Sequence, residues 1–213
     1  MVREGAGQRR GLDAHHEARG ARASAARASS TPRSSTAKSV TLVEKPNVLR
    51  ETGGLMTRVF RKVAKDYPGI EAWEANIDAI CMWMVKNPQN YDVLVAENMF
   101  GDIISDLCAG LVGGLGFACA ANIGDEYAVF EPTHGSAPKY DGKNVVNPMA
   151  MILTAKMMLD WLGEKSDAER LEAACAAVIK ENTIGTYDVK GVRAGQPGSN
   201  STTEVAQAVA AKL

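Results

Sequence analysis

With 213 residues, 46% of them apolar and 23% charged, the chain has the make-up of one or two globular domains. No apolar run approaches the roughly 18 residues of a membrane-spanning helix, and residues 40–213, with 16 Lys/Arg against 22 Asp/Glu, offer no basic surface to draw nucleic acid. Four scattered cysteines (Cys81, Cys108, Cys119, Cys175) include no C-x-x-C pair, which fits neither a disulfide framework nor a zinc site and points to a reducing, cytoplasmic setting.

Residues 1–39 stand apart. They hold eight Lys/Arg against three Asp/Glu, and Arg, Ala and Ser fill 22 of the 39 positions. Val2 and Leu12 are the only larger aliphatics after Met1, too little apolar surface to offset the entropy of ordering, so the stretch reads as disordered. An organellar leader and a nucleic-acid-binding arm are alternatives, and the abrupt join to a fluent strand at Val40 favours a non-native leader.

From Val40 to Glu44 a short β-branched run predicts a buried strand ending at Lys45. Leu55, Val59 and Val63, with Met56 and Phe60, predict a helix over about 51–66, stopped by Pro68-Gly69. Ile77, Ile80, Cys81, Met84 and Val85 give a second helix, ended before Pro88, and Tyr91 to Ala96 a second strand. Ile103, Ile104, Leu107 and Leu111 define a helix beginning near Asp102; a glycine-dense segment, a strand at Tyr127–Phe130 and a polar loop over 131–147 follow. After Pro148 the chain is helical: one helix stopped by Gly163, one begun by a Ser166/Glu169 capping box, and a last one begun by Ser201/Glu204. Strands alternating with helices predict an α/β architecture, and no internal repeat is present.

Two segments concentrate chemistry. Asp102 and Asp106 are one helical turn apart, so two like charges share a face. A bound Mg²⁺ or Mn²⁺ would account for this, since hard cations take carboxylate oxygens; a solvated face with Asp102 serving the helix dipole is the alternative. The loop Glu131–Tyr140 gathers the only histidine outside the first 39 residues, His134, with Gly135, Ser136, Ala137, Pro138, Lys139 and Tyr140. Short residues admit a ligand close to the backbone and Lys139 could neutralise a phosphate; a surface turn punctuated by prolines is the alternative. The dinucleotide fingerprint is absent, because Cys119 stands where the third glycine of Gly114-x-Gly116 should be.

Six ordered motifs carry a resemblance. VTLVEKPN at 40–47, NID at 76–78, NMFGDIISD at 98–106, GLVGGLG at 110–116, ANIG at 121–124 and HGSAPKY at 134–140 resemble the decarboxylating β-hydroxyacid dehydrogenases, the isocitrate and 3-isopropylmalate dehydrogenase family. The resemblance implies an isopropylmalate dehydrogenase-like α/β fold, incomplete, with only its C-terminal part present. Residues 40–112 would form the small dimerisation and catalytic domain, and 113–213 the C-terminal part of the large cofactor domain. It implies a homodimer with shared active sites acting on a small isocitrate-like β-hydroxyacid. Asp102 and Asp106 match metal ligands of one subunit and Asp78 the one donated by its partner; Lys45 matches the catalytic lysine, also donated across the dimer, with Asn47 a substrate residue beside it. His134 to Tyr140, with Asn147, Tyr187 and Asp188, match the adenosine-phosphate site.

Lys139-Tyr140 resembles members that use NADP, where members using NAD commonly carry Asp-Ile, although a family arginine expected later in the chain falls on Gly191. The resemblance thus implies NADP-linked oxidative decarboxylation of isocitrate with Mg²⁺ or Mn²⁺, NAD remaining possible. NAD-linked 3-isopropylmalate dehydrogenase and a non-catalytic or regulatory-type subunit are the alternatives. The arginines after residue 40 (Arg50, Arg58, Arg61, Arg170, Arg193) form no cluster for a tricarboxylate, so the 213-residue chain itself is expected to be inactive. Glu44 and Pro46 beside the lysine depart from the family's usual pattern.

Overall fold

The computed structural model describes residues 38–213, so the reading of the leader lies outside the described residues except at its end, where Ser39 already opens the first strand. The described residues fall into two compact units, divided between Leu107 and Cys108.

The first unit is built on a parallel three-stranded sheet in the order β2-β1-β3, comprising β1 (Ser39–Glu44), β2 (Glu71–Asn76) and β3 (Val93–Ala96). β1 is central and buried along its whole length, which is why its β-branched run has no polar alternation. Asp92 fixes its entry, accepting from the amides of Lys38 (2.7 Å) and Ser39 (3.1 Å). Helix α1 (Thr52–Ala64) lays Phe60 and Val63 over the sheet, and Phe60 joins Val40, Leu42 and Val95 in one core cluster. Helix α2 (Ile77–Lys86) buries Ile80 and Met84, and α3 (Asn98–Leu111) follows β3. β2 went unpredicted. Its sequence EAWEAN shows no apolar alternation, and as an exposed edge strand it is held by parallel pairing to β1.

The second unit pairs β4 (Cys119–Ile123) and β5 (Ala128–Pro132) antiparallel, with helices α4 (Met149–Leu162), α5 (Lys165–Glu181), α6 (Tyr187–Lys190) and α7 (Thr202–Ala210). Its core gathers Met149, Ala174, Cys175, Val178, Val205 and Val209. Lys156, nine-tenths buried, pairs with Asp160 on its own helix (2.8 Å) and ties α4 to α5 through Glu172 (2.7 Å). Ser201 and Glu204 make the expected capping box on α7. The box expected at Ser166 and Glu169 does not form. Gly163, at φ 90°, closes α4, and Glu164 at once becomes the N-cap of α5, so Ser166 lies inside the helix. Among the described residues no helix is long and apolar enough to cross a membrane.

Candidate active site

Parallel strands bring their C-terminal ends to one edge, where open α/β sheets bind ligands. Lys45 is the first residue after β1 and Asp78 the second of α2, which follows β2 directly. The register Glu44↔Asn76 therefore sets them side by side, and the Lys45 ammonium donates to Asp78 Oδ1. That bond, helped by the first amides of α2, holds the Asp78 carboxyl below its usual range. A lowered carboxyl pKa makes the pair's contribution present above the ordinary value and lost as pH falls through the lowered one. Lys45 to Val48 form a turn, the Val48 amide donating to the Lys45 carbonyl (2.9 Å). Pro46 suits its second position, and Asn47 is exposed beside it. Glu44 precedes Lys45 and accepts from its amide at Oε2 (3.3 Å). It is buried, and Gly53 leaves its carboxylate no spare room, since a Cβ there would lie 2.9 Å from Oε2.

Asp102 and Asp106 are both exposed, one turn apart on α3. The helix begins at Asn98, a turn earlier than expected, so Asp102 lies beyond the first-turn amides and does not serve the helix terminus. The carboxylate pair suits a hard divalent cation as half of a coordination sphere. Among the described residues no three His, Cys, Asp or Glu side chains converge as a metal site, so Asp78 does not join the pair within one chain. Arg61 is bound to Glu74 (2.6 and 2.8 Å), and Arg170 to Asp167 (2.9 Å).

The 134–147 loop belongs to the second unit. His134 Nδ1 lies 3.0 Å from the Gly135 carbonyl oxygen, and Gly135 to Lys139 are exposed. Ala137 takes a left-handed conformation (φ 45°) that starts a 3₁₀ turn over Pro138–Tyr140. The turn sets the Lys139 ammonium 4.8 Å from the centre of the Tyr140 ring, and Tyr140 lies 5.9 Å, centre to centre, from Tyr187. Tyr187 and Lys139 beside it hold the Tyr140 hydroxyl below its ordinary value, and Tyr140, with partial burial, pushes that of Tyr187 up to about 12. For Tyr187 the raised value favours the neutral folded form below pH 10, an advantage lost as pH rises through about 12. Tyrosinate absorbance should accordingly show one of the five tyrosines ionising late, and Tyr140→Phe should return it toward 10. Unchanged late ionisation in that variant would contradict the pairing.

Asn147 is buried with its side chain committed: Nδ2 donates to Asp188 (3.0 Å) and Oδ1 accepts from the Met149 amide (3.0 Å). Three residues outside the sequence-based expectations support this arrangement. Thr186 donates to Asp188 (2.6 Å), Gly116 leaves no room for a Cβ against Asn147 and Asp188, and Thr202 donates to the Val146 carbonyl (2.6 Å). Only Gly116 left a trace in the sequence, as the last glycine of the GLVGGLG run. Gly191, where the resemblance leads one to expect an arginine, ends α6 at φ 66°, a conformation that favours glycine.

A family model described as isocitrate/isopropylmalate dehydrogenase matches residues 4–209. The chain belongs to this family. It is 53% identical over 142 residues to a 3-isopropylmalate dehydrogenase of Archaeoglobus fulgidus, covering 67% of this chain and 44% of that protein. It is 46% identical over 169 residues to an NADP isocitrate dehydrogenase of Thermus thermophilus, covering 79% of this chain and 33% of that one. The solved isocitrate dehydrogenase of Methylococcus capsulatus superposes with a TM-score of 0.84 at 41% identity, over 93% of this chain and 56% of that one. The fold is thus that of the isocitrate/isopropylmalate dehydrogenases. The chain spans about a quarter to a half of the length of the curated relatives it matches.

Proposed function

We propose that the chain carries the proton-transfer, metal-binding and adenosine-binding residues of an NADP-linked dehydrogenase that oxidatively decarboxylates isocitrate. The reading is carried by the cluster of Lys139, Tyr140 and Tyr187, a cation and two hydroxyls gathered on one exposed loop and the start of α6. Such a group suits a phosphate on the ribose 2′-position, and an aspartate at 139 would repel it.

In this reading Lys45 and Asp78 of one copy work on Asp102 and Asp106 of another. Lys45 faces the substrate hydroxyl and, as the neutral amine, takes up its proton as the adjoining carbon is oxidised, and Asp78, already in contact, stabilises the ammonium that forms. Asn47, at the exposed side of the same turn, contacts a substrate carboxylate. A divalent cation held by Asp102, Asp106 and the second copy's Asp78 would supply polarisation of the hydroxyl and ketone oxygens, and NADP⁺ the acceptor for the hydride. The first unit supplies the dimer contacts in this reading, with Trp83, Met99 and Ile103 exposed on α2 and α3. The second unit holds the adenosine half of the cofactor through His134 to Tyr140, Asn147, Tyr187 and Asp188.

NAD-linked 3-isopropylmalate dehydrogenation is the second reading, favoured by the 53% identity to the Archaeoglobus fulgidus enzyme. The retained Lys45, Asp78, Asp102 and Asp106 speak against a non-catalytic subunit. Calorimetric titration of the chain with NADP⁺ and NAD⁺ in parallel separates the readings. NADP⁺ should bind at least about tenfold tighter, the worth of one charge-assisted hydrogen bond to phosphate. Equal affinities, or tighter NAD⁺, would favour the isopropylmalate reading.

A further inference from the structure

Resting on the nucleotide reading above, we infer that Thr186 is a positioning residue for the adenine side of the site, acting through Asp188 on Asn147. Thr186 is the N-cap residue of α6 and fully buried. A threonine at an N-cap ordinarily gives its side-chain oxygen to an amide of the first turn. Here no side-chain cap bond forms, and the hydroxyl donates at 2.6 Å to Asp188 Oδ1. The other carboxylate oxygen, Oδ2, accepts from Asn147 Nδ2 at 3.0 Å, and Asn147 Oδ1 accepts from the Met149 amide at 3.0 Å. A chain of three hydrogen bonds thus runs from a buried hydroxyl to the backbone at the start of α4, joining segments about forty residues apart in sequence.

Each link constrains the next. The Thr186 hydroxyl occupies one oxygen of Asp188 and so fixes the rotamer that turns the other toward Asn147. Asn147, only 7% exposed, spends its carbonyl and one amide proton inside the protein, which leaves its backbone and the second proton to meet a base. Gly116 completes the arrangement: a Cβ there would fall 2.8 Å from Asn147 Cβ and 3.0 Å from Asp188 Oδ2, so the network is also closed from that side. Remove the hydroxyl, and the half-buried Asp188 carboxylate is free to rotate toward water, taking with it the partner that orients Asn147.

Thr186→Val keeps the shape and removes the hydroxyl, whereas Thr186→Ser keeps the hydroxyl. The probes are ADP and adenosine 2′,5′-bisphosphate, titrated against the full chain and both variants, with hydrogen exchange at the Met149 amide measured without nucleotide. Thr186→Val should bind ADP about tenfold more weakly, leave the preference for the 2′-phosphate unchanged, and speed exchange at Met149. Thr186→Ser should restore ADP affinity to near the wild-type value, a rescue that loss of packing alone would not give. The inference is overturned if Thr186→Val binds ADP like the wild type, or if both variants weaken it equally. If the wild-type chain binds neither probe, the nucleotide reading fails and the inference with it. Altered Met149 exchange in Thr186→Val would then show that the network exists but serves another purpose.

Discussion

Replacing Lys139 by aspartate and Tyr140 by isoleucine is expected to turn a preference for NADP⁺ into one for NAD⁺. The substitution removes the ammonium held over the Tyr140 ring and the ring and hydroxyl that lie beside Tyr187. It also sets a carboxylate where the 2′-phosphate would lie. A charge-assisted hydrogen bond contributes about 1.5–3 kcal/mol, and the new like-charge contact adds to its loss. The ratio of affinities should therefore change by a hundredfold or more, on the scale of about 1.4 kcal/mol per factor of ten. Parallel calorimetric titrations of wild type and double variant with the two cofactors measure it. Tyr187 remains in place in the variant, so folding and the adenine contacts should persist, and ADP affinity serves as the control. An unchanged ratio would remove the basis for the cofactor assignment.

Gly116→Ala should be the most damaging of the small substitutions. The new methyl would sit 2.8 Å from Asn147 Cβ and 3.0 Å from both Asn147 Nδ2 and Asp188 Oδ2, so either the backbone shifts or the Asn147–Asp188 bond breaks. Overpacking of this kind costs about 1–3 kcal/mol, and a unit of this size loses roughly 4–8 °C in melting temperature for each of them. Gly110→Ala supplies the contrast. It lies within α3 with nothing within 4 Å of its added Cβ, and should gain up to about 1 kcal/mol from helix propensity. Thermal melts of both variants decide the matter, and a destabilisation no larger at 116 than at 110 would contradict the close contact.

Local pattern revealed those elements whose stability is local. The β-branched run of β1, the amphipathic spacing of α1 and α2 and the Ser201/Glu204 box all appear where the residues predict them. β2 escaped because EAWEAN acquires its strand conformation from six paired positions on β1, and β4 because Cys119–Ile123 lies among glycines and gains its partner only across a hairpin. Ser166 misled for a similar reason: what starts α5 is the left-handed Gly163 before it, not a side chain within it.

The candidate site divides along the same line. Asp102 and Asp106 share a face by spacing alone, as expected. The contact of Lys45 with Asp78 depends on the register Glu44↔Asn76, which no periodicity discloses. The bond between Asn147 and Asp188 spans 41 positions, and Thr186 carries no pattern that would single it out. The resemblance named most of these residues, but the hydrogen bonds that hold them became legible only in three dimensions.

The claim on which the functional reading turns is that each site is split between two copies, Lys45 and Asp78 of one completing the carboxylate pair of the other. Mn²⁺ binding to mixed variants tests it without requiring turnover. Asp78→Asn and Asp102→Asn chains, each alone, should bind Mn²⁺ weakly, because every site then lacks one carboxylate. Co-expressed under different tags and purified as mixed pairs, they should regain wild-type Mn²⁺ affinity at one site per pair, built from the unaltered residues of both chains. Mixed pairs that bind Mn²⁺ no better than either variant alone, or an Asp78→Asn chain that binds it like the wild type, would contradict the shared site.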